Sequence, residues 1–145
     1  MNAGTLCRRQ VRTALPEDTL RDAAYRMMRH SVGTLVVVDP RSDGAEPIGI
    51  VTDRDLVTRG MAADLDPELT NVAMVMSVPV NTVRESESVE DALKQMSRRG
   101  IRRLVVVDDE RRMVGILALD DILESLVGEI GSIGRVLGHH APIYG

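Results

Sequence analysis

Phenylalanine and tryptophan are absent from the 145 residues, and only Tyr25 and Tyr144 carry a phenol ring. Single-stranded nucleic acid therefore finds almost no aromatic platform on which to stack. There is one cysteine, Cys7, so no intramolecular disulfide can form, which fits a reducing cytoplasm. Unbroken apolar runs are short: Leu35–Val38, Val72–Met76 and Leu104–Val107 fall far below the ~20 residues of a membrane span. The first residues also lack the apolar core of a secretory signal. Positive charge is not in excess, since 18 Lys plus Arg face 22 Asp plus Glu for a net of −4, and the basic residues are scattered in ones and twos. Neither nucleic acid nor a membrane is an expected partner.

Catalytic signatures are missing as well. No G-x-x-x-x-G-K-[ST] phosphate loop occurs, and the three histidines are His30, at the end of a helical stripe, and His139 and His140, in a glycine-rich tail. With no placed base to activate a nucleophile, catalytic residues are expected to be absent. The His139–His140 pair has no Cys, Asp or Glu after it at ligand spacing, so a metal site is not expected either.

What is present is a duplication. Sliding the chain over itself by 69 positions lays Val11–Asp39 on Val80–Asp108 with 11 identities in 29, among them Thr13/Thr82, Asp22/Asp91, Ala23/Ala92, Met27/Met96 and the string Leu-Val-Val-Val-Asp. A second block, Gly49–Leu56 on Gly115–Ile122, continues at an offset of 66. The change of three falls in the loop Pro40–Pro47, whose Ser, Asp, Gly and Pro tolerate a length difference.

Each copy reads as β-α-β-β-α. Leu20, Ala23, Ala24, Met27 and Val89, Ala92, Leu93, Met96 follow the i, i+3, i+4, i+7 stripe of an amphipathic helix. Thr19 with Asp22, and Ser88 with Asp91, supply a capping hydroxyl and a first-turn carboxylate. The β-branched runs Leu35–Val38 and Leu104–Val107 predict buried strands, each followed by a turn and a second run, Ile48–Thr52 or Val114–Ala118, which suits a hairpin. Short strands are expected near Val11–Thr13 and Val80–Val83. Further helices open at Asp53–Asp55 and Asp120–Asp121, the latter with Ile122, Leu123, Leu126 and Ile130 along one face. A copy of ~60 residues has little core by itself, so the two are expected to pack sheet against sheet. The divisions read as repeat 1 over 1–63, a linker over 64–71, repeat 2 over 72–128 and a glycine-rich tail over 129–145, either a fraying helix end or a loosely held segment. Met74, Met76, Met96 and Met113 are expected to fill core gaps in a chain without Phe, and Cys7, which aligns with Met76, to be a small core residue.

In element order, in the strands leading to Asp39 and Asp108, and in the junctions Gly49–Leu56 (Gly-Ile-Val-Thr-Asp-Arg-Asp-Leu) and Gly115–Ile122 (Gly-Ile-Leu-Ala-Leu-Asp-Asp-Ile), the chain resembles a tandem pair of cystathionine β-synthase (CBS) domains. The resemblance runs from about Leu6 to Gly128. It implies an α/β (α+β) fold of two repeats related by a pseudo-twofold axis, two equivalent clefts, frequent homodimerisation and a non-catalytic role as a regulatory sensor of adenosine ligands: AMP, ADP or ATP, with NAD or S-adenosylmethionine as further possibilities. An unidentified regulated protein would be the partner. The competing reading is a constitutive dimerisation or interaction module with vestigial clefts; an enzyme acting on a nucleotide is the least favoured.

The family signature is a Ser or Thr at a strand end with an Asp three residues on. Thr52 and Asp55 match it. A phosphate is favoured at the helix N-terminus that opens there, the Thr52 hydroxyl can donate to it, Arg54 can add charge, and the Asp55 carboxylate can accept both ribose hydroxyls. The same two residues also suit a plain helix cap. The second junction has Ala118 in place of the hydroxyl and keeps Asp121, with Arg103, aligned with Thr34, as a compensating phosphate contact. The resemblance adds apolar walls for the adenine: Val32 and Gly33 facing the Asp121 cleft, Ile101 facing the Asp55 cleft; Gly33 equally suits a packing or bulge position. The Thr52/Asp55 cleft, having the complete signature, is expected to dominate. Arg102 reads as a surface ion-pair partner for Asp108, Asp109 or Glu110.

Overall fold

The computed structural model describes residues 1–137, so His139, His140 and Tyr144 lie outside the described residues. In chain order the elements are α1 (Ala3–Leu6), β1 (Thr13–Ala14), α2 (Leu20–His30), β2 (Thr34–Val38), β3 (Pro47–Thr52), α3 (Asp53–Asp55), which runs into a π-helical turn over Leu56–Met61, β4 (Thr82–Arg84), α4 (Val89–Arg99), β5 (Arg103–Val107), β6 (Met113–Ala118) and α5 (Leu119–Val136). Two three-stranded sheets result, ordered β1-β2-β3 and β4-β5-β6. In each, the first pair is parallel and the second antiparallel.

The two long helices of the repeats begin where the sequence caps them. Thr19 accepts from the Asp22 N–H while Asp22 accepts from the Thr19 N–H, and Ser88 accepts from the Asp91 N–H. Both helices end on a left-handed residue, Ser31 and Gly100. Their stripes bury Leu20, Ala23 and Met27 in one copy and Ala92 and Met96 in the other. The Val-Val-Val strings need apolar residues on both faces, because alternate side chains of a strand point opposite ways. Leu35 and Val37 enter the core of repeat 1, and Leu104 and Val106 that of repeat 2. Val36, Val38, Val105 and Val107 meet one another between the sheets, with Val11, Ile50, Val80, Met113 and Ile116 around them. This third apolar cluster is the pseudo-twofold, sheet-on-sheet contact expected from the duplication.

The sequence divisions do not coincide with the packing units. Helix α1 sits on repeat 2: the Ala3 and Gly4 N–H groups donate to the carbonyls of Glu87 and Glu85, and Ala3, Leu6 and Cys7 join the second core. The turn Val72–Met74 sits on repeat 1: the Val72 and Ala73 N–H groups donate to Asp18 and Pro16, and Val72 and Val75 are buried in the first core. Each repeat is thus completed by the arm that precedes the other. Both arms then cross a sheet edge, Arg8 pairing with Ile116 on β6 and Ser77 with Ile50 on β3. Gly49 and Gly115 make room for the crossings; a Cβ on Gly49 would lie 2.8 Å from Met76 Sδ, and one on Gly115 would meet the Arg8 carbonyl and Cys7 Sγ.

Other expectations need adjustment. Met74 is exposed, because it faces outward from the turn whose Val72 and Val75 face in. Segment 64–71 is held in place, the N–H groups of Leu20 and Arg21 donating to Thr70 and Pro67. Helix α5 runs on through Gly128, Gly131 and Gly134 to Val136, so the first part of the glycine-rich tail is a helix end. Of its apolar face only Ile122 is buried, while Leu123, Leu126, Val127, Ile130 and Ile133 are 44% to 59% exposed.

Candidate functional site

The carboxyl ends of β3 and β6 feed directly into helices, and the two junctions differ. At the first, Thr52 and Asp55 form a closed capping box: Thr52 Oγ1 accepts from the Asp55 N–H at 3.2 Å, and Asp55 Oδ2 accepts from the Thr52 N–H at 2.9 Å. The remaining Asp55 oxygen, Oδ1, lies 3.9 Å from Arg59 Nε. Arg54 is exposed. Helix α3 and its continuation reach only to Met61. The two signature residues thus cap the helix start through each other, leaving Asp55 Oδ1 without a hydrogen bond among the described residues.

At the second junction Ala118 is the N-cap and has no side chain with which to cap, so the first N–H groups of the 18-residue helix α5 carry no side-chain acceptor. This end opens into a cleft of about 310 Å³ lined by Arg8, Arg12, Val32, Gly33, Thr34, Arg103, Ile116, Ala118, Asp120 and Asp121, with Gln10 and Val11. The structure therefore brings together Val32, Gly33, Arg103 and Asp121. Gly33 is also tightly packed: its carbonyl accepts from the Asp53 N–H, and a Cβ there would lie 2.9 Å from Asp53 Oδ2. Asp121 is nearly buried and takes Arg8 Nε and Nη2, both at 2.8 Å, on its Oδ1. Its other oxygen has no partner among the described residues. Arg102 pairs with Asp120 at 3.3 Å rather than with Asp108, Asp109 or Glu110, because the start of β5 lies beside the end of β6. Asp108 instead accepts from the N–H groups of Glu110 and Arg112 within its own turn. Ile101 packs against the second core.

Sequence reasoning missed Arg8, Arg12 and Ile116. Arg8 arrives on the crossing arm, which no local pattern assigns to repeat 2. Ile116 is an ordinary strand residue in a hairpin run. Cys7 lies behind this arm in the second core, where burial pushes its thiol above the ordinary range. Among the described residues no cluster of His, Cys, Asp and Glu is placed to hold a metal ion, and no helix is long and apolar enough to cross a membrane.

Two β-α-β-β-α units joined through their sheets, with a cleft at the second strand-to-helix junction, define a tandem-repeat module, and comparison with known proteins gives the class its name. The CBS domain model matches residues 3–61 and again 72–128. The chain belongs to the CBS-domain family. It is 40% identical over 124 residues to an uncharacterised protein of Methanopyrus kandleri, an alignment covering 86% of this chain and 62% of that relative, so the chain spans less than two thirds of the relative's length. The solved CBS domain protein of Pyrobaculum aerophilum complexed with AMP superposes with a TM-score of 0.73 at 27% identity, over 83% of this chain and 89% of that one. The CBS domain pair of protein MJ0100 in complex with 5′-methylthioadenosine and S-adenosyl-L-methionine gives 0.75 at 26% identity, over 89% and 98%.

Proposed function

We propose that the chain is a non-catalytic regulatory module that binds an adenosine-containing ligand, with the Arg103/Asp121 cleft as its principal site. The observation that carries this reading is the uncapped start of α5 opening into a cleft that also holds Arg8, Arg12 and Arg103. The Leu119 N–H donates to the Arg102 carbonyl, and a phosphate there gains the N–H groups of the first turn beyond it, the positive end of a long helix and guanidinium charge together. The free oxygen of Asp121 is available to ribose hydroxyls, and Val32, Gly33 and Ile116 offer apolar wall to a base. At Thr52/Asp55 the equivalent N–H is already taken by Thr52 Oγ1, which reverses the ranking expected from the signature alone. Relatives of the same fold crystallised with AMP and with S-adenosyl compounds support the ligand class.

Asp121→Ala is expected to weaken the best adenosine ligand roughly 10- to 150-fold, the loss of a charged hydrogen-bond acceptor worth about 1.5–3 kcal/mol, while Asp55→Ala changes it little. Calorimetry with AMP, ADP, ATP, NAD and S-adenosylmethionine on protein unfolded, dialysed and refolded decides this. The opposite ranking moves the site to Thr52/Asp55. Absence of binding by all five leaves the alternative, a constitutive interaction module.

The exposed apolar stripe of α5 favours self-association in either case. Six large apolar residues from Leu123 to Val136 stand at least 44% exposed on one helix, more than a monomer's surface ordinarily leaves in one patch. Light scattering is expected to give twice the 15.9 kDa of one chain, and Ile130→Glu to shift it to the monomer. A monomer for the unmodified protein at micromolar concentration contradicts the homodimer.

A further inference from the structure

A second pocket, of about 360 Å³, adjoins the candidate cleft and shares Val11 and Arg12 with it. Its other lining residues include Thr13, Asp18, Arg26 and His30. Arg26 donates through Nη1 alone, at 2.9 Å, to both the Thr13 carbonyl and Asp18 Oδ2. These bonds fix the guanidinium and leave its Nε and Nη2 without a partner among the described residues. The Arg12 carbonyl accepts from the Val36 N–H, but its guanidinium has no partner among the described residues either. His30 stands close enough to these groups that partial burial and the charges of Arg12, Arg29 and Arg26 hold its pKa below the ordinary range. One carboxylate, Asp18, faces two guanidiniums and an imidazole.

Repeat 2 shows that this charge is not needed for the fold. The positions equivalent to Arg12, Arg26 and His30 are Asn81, Gln95 and Arg99. Gln95 Nε2 donates to the Thr82 carbonyl at 2.9 Å, the same contact that Arg26 makes to Thr13, with a neutral amide. Arg99 is tied to Asn81 Oδ1. In repeat 2 the corresponding polar groups thus satisfy one another, whereas in repeat 1 they are cationic and partly free, next to the cleft that has the uncapped helix.

We propose that the Arg12/Arg26/His30 pocket receives the second and third phosphates of a nucleotide whose adenosine and first phosphate occupy the adjoining Arg103/Asp121 cleft, an inference that rests on the reading of that cleft given above. Arg12, common to both pockets, is the bridge between the first phosphate and those beyond it. A chain of phosphates presents oxygens that pair with planar guanidiniums through parallel hydrogen bonds, whereas a sulfonium or a bare nucleoside has nothing to offer this pocket.

Titration calorimetry without divalent cations, comparing AMP with ATP on the full chain, tests the proposal. ATP is expected to bind about 10- to 100-fold more tightly than AMP, the range of one or two charged hydrogen bonds. Arg26→Gln, which installs the side chain repeat 2 already uses for the same carbonyl, is expected to bring ATP down to the level of AMP while leaving AMP within about twofold. Arg26→Lys, which keeps the charge, is expected to restore part of the difference, separating charge from folding. AMP and ATP bound equally by the unmodified protein, or an ATP preference untouched by Arg26→Gln, overturns the proposal and leaves the adenosine reading standing. Binding of neither removes both.

Discussion

Gly115→Ala is expected to cost about 4 kcal/mol and to lower the melting temperature by roughly 8–16 °C, through a contact made by residues more than a hundred positions away. The added methyl would fall on the Arg8 carbonyl and 2.8 Å from Cys7 Sγ. Backbone cannot yield as a side-chain tip does, so the arm must lift from β6. The reciprocal bonds between Arg8 and Ile116, at 2.8 and 2.9 Å, are then lost with it. Gly128, within helix α5 with nothing near its Cβ position, is the control: Gly128→Ala is expected to be neutral or to gain up to about 1 kcal/mol from helix propensity. Thermal melts of the two variants check the pair. A Gly115→Ala protein that melts with the unmodified chain would show that the arm is not seated on β6.

Val72→Asp has the largest expected effect of all. Val72 is fully buried in the core of repeat 1, although its place in the sequence assigns it to repeat 2. An ionised carboxylate there has no charged partner, and the several kcal/mol that such burial costs approaches the whole stability of a domain. Loss of folded protein is the expected outcome. The milder Val72→Ala localises the cause, since hydrogen exchange is expected to quicken first in α2 and β1–β3. Faster exchange confined to β4–β6 would contradict the exchange of arms.

Local pattern was enough to read both helical stripes, their Thr19 and Ser88 caps and the double-sided burial of the Val-Val-Val strings, because each is decided within a few residues. Packing between distant segments was not. Nothing in Ala3–Leu6 or Val72–Met74 says which repeat the arm will cover, and so Arg8 could not be assigned to the cleft of Asp121. The signature Thr52-x-x-Asp55 was legible as a motif, yet whether two polar groups satisfy a ligand or each other depends on geometry, and here they bond each other. Ala118, read as a missing contact, is also a missing cap: with no hydroxyl there, the start of the longer helix has no side-chain acceptor from its N-cap. The half-exposed face of α5 was likewise invisible, since the periodicity of Ile122, Leu123, Leu126 and Ile130 shows that a face exists and not what covers it.

The exchanged arms also set an order of events during synthesis. Helix α1 leaves the ribosome well before its partners, since the carbonyls that receive Ala3 and Gly4 belong to Glu87 and Glu85 and the strand that receives Arg8 is β6. Repeat 1 has all its core residues once Val75 has emerged, whereas repeat 2 must wait for its last strand and then recover the arm that precedes repeat 1. The closing of the long loop this requires places the entropic cost of folding late. Until then Ala3, Leu6 and Cys7 remain uncovered on the nascent chain, so the emergence of β6 is the point at which this arm reaches its own second repeat or that of a neighbouring chain.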